Sequence, residues 1–492
     1  MKYKVGGIAL ALAMILCALI AGTMDWDKGN NRVHQHLTAR QPDAGCDCDG
    51  SELCTHLPLV IIDTGGEDIP GVPVTEQYEG DEPVTLTSTG ESMLSVKVSV
   101  LDDDTRNHHP SDTPDLESEA LVRVRGNSSR YFDKKSYLIR FTDTDGSYAD
   151  HEVMGMEAHY EWALYGPYLD KSLIRNYMWY NIAGEIMDYA PNVRFCEVII
   201  NGEYQGLYLM TETITNGEDS RVNVSEPIEN TTATGYVLRM DRGSNTAVKN
   251  INNFTYYTYR IDRLHGIMIN IVYPRSGDLT QEMADAIEQE LSDFEKTIYS
   301  YDYDSYLHGY QTWIDVDSFV DYFILNEFTA NYDAGTLSTY LYKDISEAYK
   351  LCIWDFNSAC DNYVQSTTSP QHFEMQDTVW YFMLTKDEAF VKRIINRYHM
   401  LRKHWLSDEY IENYIDETIA YLGDAVDRNF EVWGYTFEEY QPLEPEERNP
   451  GSYEEAVQQL KDFCFERGAW MDENIDILQQ YSHLSKNKKF NH

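Results

Sequence analysis

"KLCIWDFNSACDN", from Lys350 to Asn362, is an apolar strand that runs into an acidic turn. The strand delivers a single carboxylate, Asp355, to its end. A carboxylate in this position can bind a metal or take part in catalysis, and it can equally form a capped turn. The surrounding sequence has to distinguish these two interpretations.

The stretch is the second half of a predicted β-hairpin, "STYLYKDISEAYKLCIWDFN", which lies between segments with helical periodicity. The preceding helical segment, "FVDYFILNEFTANYD", ends in Asp333, and Asp355 follows the second strand. The two acids therefore stand at the two mouths of a short hairpin, where their carboxylates can converge on one point. Phosphoryl transfer uses such a pair, one acid orienting the attacking hydroxyl and the other binding the metal.

The spacing of these acids is that of protein kinases, in which a catalytic Asp precedes a metal-binding Asn by five residues and a hairpin leads to Asp-Phe-Gly. Here Ser338 stands five residues after Asp333, and Asn357 follows Asp355-Phe356. The spacing fits and the residue types fit in part. Helix capping and turn formation remain the alternative role for these acids.

The first half offers candidate phosphate contacts in "VRVRGNSSRYFDKKSYLIRF", where a turn of small residues separates two predicted strands. Alternation places Lys135 on the face of Tyr137 and Phe141, and Lys134 on the opposite face. Lys135 is therefore the predicted inward cation. Its predicted partner is a nucleotide phosphate or a carboxylate such as Glu212; an exposed lysine on an edge strand is the alternative.

Strand patterns dominate from Leu121 to about Met240, including two strands joined by the hairpin turn Asn201-Gly202. One helix, "DKSLIRNYMWYNIAGEIM", interrupts them, with Asp170 as its N-cap or first-turn acid. Beyond about Asp278, long segments with helical periodicity follow. A strand-rich first half and a helix-rich second half predict an α+β protein with two lobes.

The charge of the chain excludes one large class of partners. Its 82 acidic and 39 basic residues give a formal net charge of −43. A field of this sign repels nucleic acid and is compatible with basic proteins, cationic peptides and divalent cations. Nucleic acid is therefore not an expected partner.

The N-terminus has the charge-then-apolar pattern of a secretory signal over residues 1–23, and a retained membrane anchor is the alternative. We expect a secreted or cell-surface protein that meets a membrane only through this segment, if it is uncleaved. A polar tether over 24–55 and a basic tail over 481–492 are predicted to flank the folded part.

Seven cysteines follow the apolar leader. Cys46, Cys48 and Cys54 form a cluster, for which a local disulfide is the favoured interpretation in an exported protein. A zinc site is less favoured, because no second Cys/His pair lies nearby in the sequence. The remaining four, which are far apart, are interpreted as core residues; they are Cys196, Cys352, Cys360 and Cys464.

An ordered series of motifs resembles the CotH kinases, a family named for a spore-coat protein. The matching motifs are "RGNSS", "KKSYLIRF", "DKSLIRN", "EVIINGEYQGLYLMTE", "GYVLRMD", "DVDSFVDYFILNEFTANYD", "YLYKD", "WDFN", "AFVKRIINRYHMLRKHWLS" and "AVDRNFEVWG". They extend from about Leu57 to about Leu478. The resemblance implies an atypical protein-kinase-like fold over 56–480, with an N-lobe at about 56–275 and a C-lobe at about 276–480. It also implies that ATP with Mg²⁺ or Mn²⁺ is used to phosphorylate Ser or Thr of a protein substrate, which the acidic surface suggests is Lys/Arg-rich.

The resemblance also implies residue roles. Asp333 matches the catalytic-loop aspartate of the family, and Asp355 matches its metal-binding aspartate. Lys135 matches a lysine that contacts the phosphates, while Arg125 and Asn127 match the Arg-Gly-Asn-Ser-Ser turn.

The sequence departs from the family at two positions. Asn357 stands where the family has a second Asp, and Asp361 stands where a Gly is usual. An Asn can ligate Mg²⁺ through its carbonyl but adds no charge. A catalytically weak or inactive surface or cell-wall binding protein, associated with polysaccharide degradation, is therefore the alternative to an active kinase.

Overall fold

The computed structural model describes residues 32–42, 45–75, 83–217, 221–242, 250–251, 267–364 and 366–483. The chain divides into two units, Met1–Val33 and His34–His492, and of the first only Arg32 and Val33 are described. The predicted signal peptide or anchor lies outside the described residues, as does the tail beyond His483. No helix in the described part is both long enough and apolar enough to cross a membrane.

The described residues between Leu59 and Glu212 contain nine strands. They are β1 (Leu59–Asp63), β2 (Leu94–Leu101), β3 (Leu116–Arg125), β4 (Ser136–Thr142), β5 (His151–Val153), β6 (Met156–His159), β7 (Glu161–Tyr165), β8 (Val193–Ile200) and β9 (Glu203–Glu212). Seven of them close into a barrel in the order β1-β2-β3-β4-β7-β9-β8. The parallel pair β1 and β8 completes the ring, and β5 pairs with β6 alone.

Alternation along the strands fills the barrel. In β2, Val96 and Val98 are buried while Lys97 between them is exposed, as a strand with one buried face requires. Between β8 and β9, Asn201 and Gly202 both have positive φ, 51° and 81°, the geometry of a type I′ hairpin turn. The predicted strands and the predicted turn are confirmed here.

A second sheet joins the two halves of the sequence. Its strands are β10 (Tyr236–Arg242), β11 (Asn250–Ile251), β12 (Ile267–Tyr273), β13 (Thr339–Lys343) and β14 (Lys350–Cys352), in the order β11-β12-β10-β13-β14. The predicted hairpin β13–β14 is confirmed, and β13 pairs antiparallel with β10. This sheet crosses the predicted boundary at 275/276. The α+β class is confirmed, and the division into kinase-like lobes stays a prediction.

Helices make up most of the second half. Two helices come earlier in the chain, the short α1 (Gln35–Thr38) and the central α2 (Arg175–Ile186). The helices of the second half are α3 (Gln281–Ile298), α4 (Val316–Phe328), α5 (Tyr381–Leu384), α6 (Glu388–Leu401), α7 (Asp408–Leu422), α8 (Asp424–Trp433), α9 (Thr436–Glu439), α10 (Tyr453–Asn474) and α11 (Gln479–Ser482). Side-chain caps start the long ones; Asp315, for example, accepts the backbone N–H of Ser318 at 3.0 Å. Gly423, with φ 49°, ends the continuous periodicity of the sequence between α7 and α8.

Part of the predicted tether is packed. Gln35 is buried, and its side-chain amide exchanges two hydrogen bonds with the backbone of Phe195 in β8, at 2.7 and 3.1 Å. His34 is also buried and contacts the Tyr414 hydroxyl at 3.0 Å. The prediction of a tether over 24–55 is therefore wrong for this segment, because its polar side chains satisfy backbone groups at the edge of the barrel.

The cysteines of the described residues form two groups that differ in burial. Cys46, Cys48 and Cys54 are free thiols, so the predicted local disulfide is absent from the structure. The four later cysteines are buried, which confirms their interpretation as core residues; they are Cys196, Cys352, Cys360 and Cys464.

A buried ion pair ties α10 to α4. The side chains of Arg467 and Glu327 pair with each other and both are 0% exposed. Arg467 also donates to the backbone carbonyls of Glu327 and Pro370, at 2.7 and 2.9 Å. The Glu327 carboxylate accepts the backbone N–H groups of Glu374 and Met375. Every group of the pair thus has partners, which is the condition under which a buried pair is tolerated.

We expect Arg467→Ala to lower the free energy of unfolding by about 3–5 kcal/mol, because it leaves the Glu327 carboxylate buried without its counter-ion. Arg393→Ala is the matched control. Its pair with Asp317 has side chains 54% and 67% exposed, so a loss of at most about 1 kcal/mol is expected. Urea denaturation measures both; equal losses would contradict the structural role of the buried pair.

Candidate functional site

Helix α2 holds the loop that carries Asp355. The Asn176 side-chain oxygen accepts the backbone N–H of Phe356 at 2.8 Å, and the Tyr180 hydroxyl accepts the backbone N–H of Asp355 at 3.1 Å. The Phe356 ring is buried, 6.2 Å from the rings of Trp179 and Tyr180. The loop therefore has a fixed backbone at the residues where the sequence predicts chemistry.

The start of α2 fixes the same loop further on. Arg175 donates from Nε to the carbonyl of Ala359 at 3.1 Å. Asp170 forms an ion pair with the Arg175 guanidinium and accepts the Arg175 backbone N–H at 2.9 Å. The helix begins at Arg175, five residues later than the Asp170 start that the sequence predicts. Asp170 still caps the first turn, and it does so from outside the helix.

Asp355 occupies a strained backbone position. Its φ is 64°, a left-handed value that residues other than glycine rarely adopt. The residue is half-buried, and the Ser338 hydroxyl donates to its Oδ2 at 3.4 Å. Desolvation raises the pKa of Asp355, the Arg125 guanidinium opposes this rise, and the Asp241 carboxylate adds to it. Two carboxylates and a guanidinium thus act on one another at this point.

Arg125 reaches the loop from the barrel. It is the last residue of β3, and its guanidinium lies 5.4 Å from the centre of the Trp354 ring. Asp241 comes from the other side, near the end of β10. The site therefore forms where the barrel, the second sheet and the Asp355 loop meet.

The hairpin places Asp333 and Asp355 at the same end. Tyr340 of β13 pairs with Cys352 of β14, so the start of one strand lies beside the finish of the other. Asp333 is half-buried, and its carbonyl accepts the backbone N–H of Leu337 at 2.7 Å, which closes the turn into β13. The two acids therefore flank the open end of the hairpin, and the convergence of their carboxylates on one point stays a prediction.

Asn331 is a residue of this site that sequence reasoning missed. Its Nδ2 donates to Asn326 Oδ1 at 3.1 Å and to the Asp355 carbonyl at 3.4 Å. Asn326 in turn donates from its own Nδ2 to the Tyr322 carbonyl at 2.9 Å, which fixes both amide orientations. Asn331 Oδ1 is left buried without a hydrogen-bond partner. Asn331 Oδ1 is therefore an oxygen beside the Asp355 loop that can accept a donor or bind a cation.

Asp241 is the second missed residue. The signal that could have found it was available, since Asp241 closes the strand "GYVLRMD" as Asp355 closes its own. The signal for Asn331 is weaker, because an Asn just after a helix is also an ordinary turn residue.

The assignment of the two lysines to faces is wrong. Lys134 is buried, 1% exposed, and its Nζ donates to the Leu207 carbonyl and to Asn429 Oδ1, each at 2.7 Å. Burial holds its pKa well below the ordinary value. Lys135 is half-buried and donates to the carbonyls of Arg130 and Phe132. Both lysines precede β4, so the alternation of the strand does not extend to them.

Glu212 does not pair with Lys135. Its buried carboxylate accepts the backbone N–H of Asn192 at 2.9 Å and the Asn192 side chain at 3.2 Å. The partners of Lys135 are instead carbonyls of the turn that follows Asn127. Asn127 stands just before the 3₁₀ turn Ser128–Tyr131 and accepts through its carbonyl from Arg130.

The two departures from the family pattern have different surroundings. Asn357 is half-buried, and its carbonyl accepts from Asn362 at 2.7 Å. Asp361 has φ 57°, a value that glycine adopts without strain. Its side chain forms an ion pair with Arg448 and accepts the backbone N–H of Thr368 at 2.7 Å. These contacts stabilise a backbone conformation for which glycine needs no support.

A cleft of about 1080 Å³ lies elsewhere in the described residues. Residues such as His159, Tyr273 and Arg275 line it, and none of the predicted site residues does. A smaller cleft of about 320 Å³ near Arg221 and Lys350 is likewise separate. Volume alone therefore does not locate the chemistry in this protein.

Comparison with known proteins agrees with the motifs. A family model described as CotH kinase protein matches residues 122–471, more than half of the chain. The match begins within β3, later than the start near Leu57 that the motifs predict. No curated protein matches the chain. The chain belongs to the CotH kinase family.

Proposed function

We propose that this protein is an atypical protein kinase that transfers the γ-phosphoryl group of ATP to Ser or Thr of a protein substrate. The observation that supports this most directly is the placement of Asp333 and Asp355 at one mouth of the β13–β14 hairpin. A phosphoryl-transfer site needs one carboxylate for the acceptor hydroxyl and another for the metal. Membership of the CotH kinase family makes this the favoured chemistry.

The residues around Asp355 suit Mg²⁺ or Mn²⁺. These ions prefer oxygen ligands, and the unpartnered Asn331 Oδ1 is such a ligand beside the Asp355 loop. We assign Asp355 as the main metal ligand, with the side-chain oxygens of Asn331 and Asn357 as neutral donors. A divalent cation bound here would neutralise phosphate charge.

The remaining roles follow from position and charge. Asp333 orients the acceptor hydroxyl and takes up its proton. Arg125 lies over Trp354, close enough to influence Asp355, and is the proposed cation for the phosphates. Lys135 acts indirectly, since its two bonds to turn carbonyls shape the segment that follows Asn127.

The substrate and the location follow from charge and the N-terminus. With a net charge of −43, the protein favours Lys/Arg-rich segments around the acceptor Ser or Thr. The leader pattern over 1–23 supports a secreted or cell-surface location.

The direct test is transfer from labelled ATP. The purified full chain is incubated with γ-labelled ATP, Mg²⁺ or Mn²⁺ and a basic Ser-containing peptide, and a peptide with Ala in place of Ser is the control. We expect label on the Ser peptide only, and a rise in melting temperature with ATP and metal together. Absence of both effects would exclude the kinase function and favour a binding protein built on the same fold.

Substitution of the two acids should separate binding from transfer. We expect Asp355→Ala to abolish metal-dependent ATP binding with the fold intact, because it removes the charged metal ligand. Asp333→Ala should retain ATP binding and lower the transfer rate by roughly 10²–10⁴-fold, the usual contribution of a general base. Calorimetric ATP titration and the labelled-ATP assay measure these two effects.

The exposed Asp304 supplies the control for this pair, since Asp304→Asn should change neither quantity. Unchanged ATP affinity in Asp355→Ala, or unchanged transfer in Asp333→Ala, would refute the corresponding assignment.

Restoring the family residue at position 357 should strengthen the metal site. We expect Asn357→Asp to lower the Mg²⁺ concentration for half-maximal ATP binding several-fold, because it adds a negative charge beside Asp355. A Mg²⁺ titration at fixed ATP measures the effect, with Asn230→Asp, at an exposed position, as the control for an added charge. A higher Mg²⁺ requirement in Asn357→Asp would show that this side chain does not face the metal.

A further inference from the structure

Three cysteines and a histidine, none of them a residue of the proposed kinase site, lie close together. The Sγ atoms of Cys46, Cys48 and Cys54 and a ring nitrogen of His109 all lie within 4.8 Å of one another. Cys46 Sγ lies 3.7 Å from His109 Nε2. None of the three cysteines is in a disulfide.

We propose that Cys46, Cys48, Cys54 and His109 bind one Zn²⁺ ion in a structural Cys₃His site. Zinc takes four such ligands in a tetrahedron, with zinc–sulfur distances of about 2.3 Å and zinc–nitrogen distances of about 2.0–2.1 Å. Ligands at these distances stand about 3.6–3.8 Å apart. The observed separations, up to 4.8 Å, require only a small contraction around the ion.

The hydrogen bonds around the four ligands are those of a metal site. Asp112 Oδ2 accepts from His109 Nδ1 at 3.2 Å and from the His109 backbone N–H at 2.9 Å. This fixes the ring and leaves Nε2 directed at the thiols. A carboxylate that orients a ligand histidine in this way is the usual outer partner of protein-bound zinc.

A second outer contact involves sulfur. The Asn107 side chain donates to Cys54 Sγ at 3.1 Å, a bond that a negatively charged thiolate accepts more strongly than a thiol. Zinc binds cysteine as thiolate, so the thiol protons pass to solvent on binding.

The backbone brings these distant residues together without the ion. Thr55 and His108 form an isolated antiparallel bridge, with N–H···O distances of 3.1 and 2.7 Å. The bridge sets the residues from Cys46 to Cys54 beside the connection between β2 and β3. Zinc would fasten the segment before β1 to this connection, at the one place where the predicted tether carries cysteines.

A disulfide accounts for less of this arrangement. It would use two of the three thiols and leave the third, together with the oriented His109, without a role. Sequence spacing alone disfavoured zinc because it showed no second Cys/His pair nearby, and the fold supplies His109 from the β2–β3 connection.

The test measures zinc in the full-length protein. The chain is purified under reducing conditions, given one equivalent of Zn²⁺, desalted and analysed for metal by mass spectrometry. We expect one zinc per chain, a higher melting temperature with zinc, and protection of three thiols from alkylation. Substitution of Co²⁺ should give thiolate-to-cobalt charge-transfer absorption.

Single substitutions distinguish the residues that bind zinc from those that do not. Cys46→Ser, Cys48→Ser, Cys54→Ser and His109→Ala should each lose stoichiometric zinc, whereas the exposed-histidine control His404→Ala should retain it. Circular dichroism checks that each variant is folded.

Asp112→Asn keeps all four ligands and tests the site even if the ligand variants unfold. We expect it to weaken zinc affinity by roughly 10–100-fold in competition with a chelator, with the cobalt spectrum retained. Sub-stoichiometric zinc in the wild type, or zinc retention unchanged in the cysteine and histidine variants, would overturn the proposal. A disulfide among the three cysteines that forms even when zinc is supplied first would also overturn it.

Discussion

The polar side chains of α2 are the contacts on which the candidate site depends. Asn176 and Tyr180 each accept a backbone N–H of the Asp355 loop, and Arg175 donates to a carbonyl further along it. These bonds are buried, where an unpaired partner is costly. They hold Asp355 at φ 64°, a value that few residues other than glycine adopt. A helix from the strand-rich half of the chain therefore sets the geometry of a loop in the helical half.

At two other places a side chain also holds together segments that are distant in the sequence. Arg125 leaves the barrel at the end of β3 and lies over Trp354, so Arg125 and the Asp355 loop meet only after the barrel and the second sheet have formed. Arg467 donates hydrogen bonds to carbonyls of α4 and of the segment at Pro370, which ties α10 to both. At Arg467 one charged side chain satisfies backbone carbonyls of two separate segments.

Local sequence patterns predicted most of the strands and helices, but they did not predict how residues at the ends of these elements are placed. Alternation identified β2, β3, β4, β8 and β9, and Asn201-Gly202 identified the hairpin turn, because these features depend on near neighbours only. The lysine assignment failed because Lys134 and Lys135 precede β4, where the period of two no longer applies. The tether prediction failed at Gln35, because a polar side chain can be buried when it forms hydrogen bonds with the backbone of a strand.

The sequence by itself determined the α+β class, the family, and the pair Asp333 and Asp355 around a hairpin, since these rest on motifs and spacing within short segments. Only the tertiary structure decided that Asn331 leaves an unpartnered oxygen beside Asp355, that Asp241 joins the site, and that His109 completes a cluster with three cysteines. The physical reason is that hydrogen-bond satisfaction and ligand geometry depend on which distant segments the packed core brings into contact. Spacing along the chain carries no information about those contacts.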